Sequence, residues 1–193
     1  MALIRSFVAV ELPEAVRAAL KRLQQEVKAG GEGVKWVQPG GIHLTLKFLG
    51  YVEEAKVPAL AQALTRASKD VGPFEMALSG LGVFPSPSRP RVAWVGLSGG
   101  VEELFLLQEG VEKALSPFGF PREARAFTPH LTLARLREGV TPQEAGAFGQ
   151  AFLRASPEAV SLKVDGMSLM KSQLTPSGAI YTCLAFISLG GHL

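Results

Sequence analysis

The chain has 193 residues, of which 47% are apolar and 19% charged. That is enough for a proper core and excludes wholesale disorder, and the length fits one large domain or two small halves. A net charge of +3 and a pI near 9.2 permit a polyanionic ligand without demanding one.

In chain order, residues 3–11 alternate around Ile4, Phe7, Ala9 and Glu11 and predict a first strand. Pro13 follows where a first-turn proline belongs. From Glu14 to Lys28, Val16, Leu20, Leu23 and Val27 recur at helical spacing, and Gly30-Gly31-Glu32-Gly33 is expected to end that helix. This glycine run is no phosphate loop, because a strand-like stretch, Val34 to Val37, follows it. Pro39-Gly40-Gly41 turns the chain into a strand that Lys47-Phe48-Leu49-Gly50 is expected to close. A second helix is expected over 53–69, two short strands over 73–79 and 81–84, and a stiff loop over 85–90. A strand over 91–97 and a helix from Val101 to Leu115 come next. Thr141-Pro142-Gln143-Glu144 is a capping box opening a helix to about Arg154. Two long strands, 159–170 and 178–189, complete the chain. No composition break marks a linker, and the order of elements suggests an α+β body with internal duplication.

One phrase occurs twice: His43-Leu44-Thr45-Leu46 and His130-Leu131-Thr132-Leu133. It alternates polar and apolar, the period of a half-buried strand. Residues i and i+2 of a strand share a face. Each copy therefore presents an imidazole and a hydroxyl together, about 6.6 Å apart along the backbone. The third histidine, His192, lies in the C-terminal tail.

The rival chemistries lack residues. No Asp or Glu stands at ligand spacing from either motif histidine, so a metal site is not expected. There is no Gly-x-Ser-x-Gly elbow, and the only aspartates are Asp70 and Asp165. The single cysteine, Cys183, excludes an internal disulfide framework, fits a reducing cytoplasm, and is expected to be buried in its apolar run. The N-terminus is too short and interrupted for a signal peptide, and no apolar run would span a membrane. The absence of Asn and the 13 Pro lean towards a thermophilic source.

Two imidazoles suit general acid and base work on a phosphodiester, with the threonine hydroxyls donating to its non-bridging oxygens. Arg135, with Arg91 and Lys47 as further candidates, would add positive charge. Phe48 and Phe127 flank the motifs and either stack a base or pack the core. Arg89 and Arg91 either reach RNA phosphates or sit on a solvated loop. Trp36 and Trp94 are assigned to packing.

The paired phrases resemble the 2H phosphoesterase superfamily. Arg5-Ser6-Phe7-Val8-Ala9, Phe84-Pro85 with Arg89 to Trp94, Phe127 to Arg135, and Ser172-Gln173-Leu174 with Gly178 and Tyr181 are similar, more closely, to the RNA 2′,3′-cyclic phosphodiesterase (2′-5′ RNA ligase) family. The resemblance implies a bilobal fold over residues 1–193, two similar lobes with antiparallel sheets around a cleft, one motif in each. It implies hydrolysis of a terminal RNA 2′,3′-cyclic phosphate, such as that of a tRNA fragment, to a 2′-phosphate, and 2′-5′ joining in the reverse sense. No metal or other cofactor is implied. His43, Thr45, His130 and Thr132 are carried over as catalytic and Arg135 as a phosphate contact. His130 is taken as base on the water and His43 as acid to the 3′-oxygen, although identical phrases do not rank the two. The alternatives are a relative acting on small cyclic nucleotides or 2′-5′ oligonucleotides, and a basic RNA-binding module without turnover. Nothing demands more than a monomer.

Overall fold

In a computed structural model that describes residues 2–27, 33–176 and 178–190, strands and helices alternate along the chain. They are β1 (Leu3–Glu11), α1 (Glu14–Glu26), β2 (Val34–Trp36), β3 (His43–Glu53), α2 (Val57–Ala67), β4 (Phe74–Phe84) and β5 (Val92–Ser98). After them come α3 (Val101–Leu115), β6 (Leu131–Leu136), α4 (Pro142–Arg154), β7 (Ser161–Val164), β8 (Gly166–Thr175) and β9 (Gly178–Ser188). α1 buries Val16, Ala19, Leu20 and Leu23, the stripe its spacing predicts. α4 opens on the full capping box of Thr141 and Glu144. α3 begins after Gly100, whose left-handed φ of 52° and whose Cβ position, 2.6 Å from the Phe74 ring, both require glycine.

Every strand pairing is antiparallel, in the order β7-β4-β5-β6-β3-β1-β8-β9, with β2 also on β6. The two halves of this order, β9-β8-β1-β3 and β6-β5-β4-β7, meet at one pair, Leu44 opposite Leu131. β1-α1-β3-α2 in one half is echoed by β5-α3-β6-α4 in the other. Asp165 alone links β7 to β8, although these strands stand first and seventh in the order. The sheet must therefore curl until its distant strands approach. This is the α+β, two-lobed duplication expected from the sequence, its two sheets joined into one curled surface. The main core lies on the helix-covered side and takes in Leu44, Leu46, Leu131 and Leu133, the leucines of both phrases. A second, small apolar cluster (Phe7, Ala9 and Met170, with Tyr181) lies apart from it.

Several element boundaries differ from expectation. The two short strands expected over 73–79 and 81–84 are one, β4 (Phe74–Phe84), because Gly80 takes a positive φ of 65° and makes a bulge within it. β3 likewise passes through Gly50, φ 70°, to Glu53. α2 starts at Val57, not 53, because Pro58 fits only a first helical turn; a 3₁₀ turn, Glu54–Lys56, precedes it. The expected strand 159–170 is cut at Asp165, and β8 then runs on to Thr175. The Gly30-Gly31-Glu32 helix stop and His192 lie outside the described residues. Cys183 is exposed, not buried, because β9 presents it on the face without helices.

Candidate active site

The pair Leu44–Leu131 fixes the site. Both leucines point into the core, so the residues on either side point to the opposite face. Antiparallel register, carried one residue each way, sets His43 across from Thr132 and Thr45 across from His130. Directly opposed Cβ atoms in such a pair lie about 4.5–5.5 Å apart. The four polar side chains of the two phrases thus form one group with approximate two-fold symmetry, and all four are half-buried.

The two imidazoles are held in the same way. His43 Nδ1 lies 2.9 Å from the Gly41 carbonyl oxygen, and His130 Nδ1 lies 2.7 Å from that of Thr128. A carbonyl only accepts, so Nδ1 carries the proton in both rings and Nε2 is left for chemistry. Each ring is also walled by two aromatics. His43 stacks on Phe7, with centroids 4.6 Å apart, and meets the edge of Tyr181 at 5.0 Å. His130 meets Phe84 at 5.1 Å and Trp94 at 6.1 Å. Trp94 lies across Gly82 of β4, where a Cβ would fall 2.0 Å from the indole.

Bulges bring two further residues to this face. The β1–β3 register slips by one between Val8 and Ala9, and the β5–β6 register slips likewise between Ala93 and Trp94. Phe48, three residues after Thr45, consequently pairs with Phe7; Arg135, three after Thr132, pairs with Val92. Both would face the helices in a regular strand. Both are exposed here, Phe48 with its ring 6.1 Å from that of Phe7.

Comparison with known proteins shows the duplication of the chain independently. The family described as LigT like Phosphoesterase matches the chain twice, over 10–94 and 95–181. The chain belongs to this family. The RNA 2′,3′-cyclic phosphodiesterase of Methanothermobacter thermautotrophicus is 34% identical over 180 residues, 93% of this chain and 95% of its own. That of Thermus thermophilus is 37% identical, over 98% of this chain and 92% of its own. Escherichia coli LigT, solved in complex with 3′-AMP, superposes with a TM-score of 0.79 at 26% identity, covering 98% of this chain and 100% of its own.

In this LigT-like phosphoesterase the surroundings of His43 act on its titration. Burial pushes the His43 imidazole below its ordinary value of 6.5. The Gly41 carbonyl opposes that, the Arg135 guanidinium adds to it, and the Glu11 carboxylate opposes it again. Arg135 of one half is therefore close enough to act on His43 of the other. Glu11 sits opposite His43 on β1 and accepts a hydrogen bond from Ser168 Oγ.

The remaining sequence candidates separate. Lys47 is no phosphate contact in this structure. Its Nζ is buried and donates to Glu112 Oε2 at 2.6 Å and to the Pro121 carbonyl at 2.8 Å. Phe127 is partly buried and packs edge-on against Phe105 of α3, which is the packing alternative and not the stacking one. Arg91 and Arg89 are exposed around the turn before β5; the Arg91 carbonyl accepts from Leu136 N–H at the end of β6. Trp36 packs on Phe148, as expected, whereas Trp94 walls His130. The sequence reading missed Phe7, Tyr181, Phe84, Trp94 and Glu11 as site residues. Phe7, Phe84, Trp94 and Tyr181 stood in the segments that carry the resemblance, but their place beside the histidines, like that of Glu11, is read only from strand parity and strand order. Among the described residues, no three of His, Cys, Asp and Glu cluster as metal ligands, and no helix is long and apolar enough to cross a membrane.

Proposed function

We propose that this phosphoesterase opens RNA 2′,3′-cyclic phosphate ends, such as those of tRNA fragments, to 2′-phosphates by metal-independent acid–base catalysis. The observation that carries the reading is the Leu44–Leu131 register, which faces two His-Thr pairs across one seam. The names of the relatives supply the substrate class. The whole chain works as one bilobal unit, a monomer in the cytoplasm, with one motif in each half.

The chemistry follows from the tautomers. Neutral His130 takes a proton from water on Nε2 while the water oxygen attacks phosphorus. The bond from phosphorus to the 3′-oxygen breaks on the opposite side, and His43, protonated on Nε2, gives its proton to that oxygen. A 2′-phosphate and a 3′-hydroxyl result, and solvent resets the two rings. Thr45, Thr132 and Arg135 donate to the non-bridging oxygens as charge grows on them. Exposed Phe48 stacks the terminal base, and Arg91, next to Val92 opposite Arg135, adds positive charge at the other end of the site. Run in the same direction with a 5′-hydroxyl in place of water, the same groups form a 2′-5′ linkage and free the 3′-hydroxyl.

Burial alone would cast His43 as the base, since it favours the neutral ring. The anionic phosphate reverses that sign. Its attraction for an imidazolium is strongest at the less solvated ring. His43 therefore takes up its proton as substrate binds.

The test is a short RNA ending in 2′,3′-cyclic phosphate, incubated in excess EDTA. Turnover to a 2′-phosphate is expected. A 3′-phosphate product would overturn the leaving-group assignment, and activity lost to EDTA but restored by zinc or magnesium would overturn the metal-free route.

A further inference from the structure

One face of the sheet carries a patch of exposed apolar side chains that extends well beyond the two histidines. Leu3, Phe48, Tyr51 and Leu174 are each 61–72% exposed. Such residues are common singly on a surface, but a contiguous patch marks an interaction site. The register makes this patch contiguous. Tyr51 and Ser172 flank Arg5, and Phe48 and Met170 flank Phe7. Leu3 stands two residues before Arg5 and Leu174 two after Ser172, so all lie on the face of Phe7. The patch runs continuously out of the site: His43 stacks on Phe7, and Phe7 lies 6.1 Å from Phe48.

The charge on this face is selective. On β1, β3, β8 and β9 between the levels of Glu11 and Glu53, Arg5 is the one ionic side chain facing this way among the described residues. Its Nη1 donates to Ser172 Oγ at 3.3 Å, which holds the guanidinium over the middle of the patch. Flat rings with a fixed cation between them suit a single-stranded polynucleotide, whose bases stack and whose phosphates need a counter-charge. We propose that this face is the track for the RNA strand upstream of the cyclic phosphate, with Phe48 at its near end, Arg5 and Tyr51 in its middle, and Leu3 and Leu174 at its far rim. From His43 to Tyr51 along β3 is roughly 25 Å, room for several nucleotides.

This inference rests on the RNA-end reading above, and one experiment separates the two. Hydrolysis is measured for a mononucleotide 2′,3′-cyclic phosphate and for a hexanucleotide with the same end. The proteins are the wild type, the double variant Tyr51→Ser/Leu174→Ser, and Arg5→Gln. The expected KM of the wild type is about tenfold lower for the hexanucleotide. The double variant loses that advantage and keeps the mononucleotide kinetics. Arg5→Gln lowers the salt slope of hexanucleotide binding by about one. Equal KM values in the wild type, or a hexanucleotide advantage that survives the double variant, overturn the track. If neither substrate turns over, the catalytic reading falls. The track then stands or falls by the same variants in fluorescence anisotropy with an unreactive hexanucleotide. A change in sedimentation without a change in RNA affinity would make the face a contact between copies, and the track fails.

Discussion

His43 and His130 carry identical neighbours in sequence, and both use Nδ1 to hold the carbonyl two residues back. Replacement of either by Ala is expected to lower kcat by about 100-fold or more, the scale of lost acid–base catalysis. RNA affinity should survive in both variants; anisotropy with an unreactive RNA checks it. His43, held below 6.5 mainly by burial, should show its lowered midpoint by NMR in the free protein, and inorganic phosphate should raise it. Stability carries the same signature. As pH falls through 6.5 the unfolded chain takes the His43 proton first, so the fold loses stability until the pH reaches the lowered folded value. In the pH–stability curve of His43→Gln that loss should be absent; an acid limb unchanged from the wild type would refute the burial account. At this scale the sequence was legible where a side chain sits inside a phrase that repeats, as the four motif residues do. It was misleading where direction depends on a bulge. Period two sends Phe48 and Arg135 to the helix side, and the slipped registers return them. Lys47 goes the other way, from a presumed phosphate contact to a buried ion pair.

That ion pair ties three elements together. Lys47 of β3 bonds Glu112 of α3 and the carbonyl of Pro121, while Gln108 Nε2 and Glu123 N–H donate to the same carboxylate. The segment that leads to His130 is thereby fastened to the strand that carries His43. Lys47→Met leaves a buried carboxylate without its cation and should cost about 3–5 kcal/mol in urea unfolding. Lys47→Met/Glu112→Leu should recover most of that, as two apolar groups in place of a buried pair often do. Single and double variants of equal stability would contradict the pairing. Helices α1, α3 and α4 were legible from apolar spacing and caps, because those signals are local. Gly80 and Asp165 were not. In sequence Gly80 has the character of a turn, yet it makes a bulge; Asp165 falls within an apparent strand, yet it ends β7. Neighbouring strands decide both outcomes, and no short window of sequence contains them.

At the scale of the molecule, the two halves of the strand order meet where β3 pairs with β6. Leu131→Ala at that seam should cost about 2–5 kcal/mol, as other buried leucines do. It should also lower kcat under conditions where the protein remains folded. Leu64→Ala, on the buried face of α2, should match the stability loss and leave kcat alone. Equal kcat in the two variants would detach catalysis from the seam. The duplication itself was legible from the two phrases, but the curl was not, since it arises from where Asp165 returns the chain. The near two-fold symmetry at Leu44 and Leu131 has a chemical corollary. A cyclic phosphate offers two ester oxygens that are themselves almost equivalent. A symmetric catalyst acting on a symmetric bond would cleave either one. Regiochemistry must therefore be written where the halves differ: a phenyl ring at Phe48 where the other half has the Arg135 guanidinium, and Phe7 with Tyr181 where the other has Phe84 with Trp94.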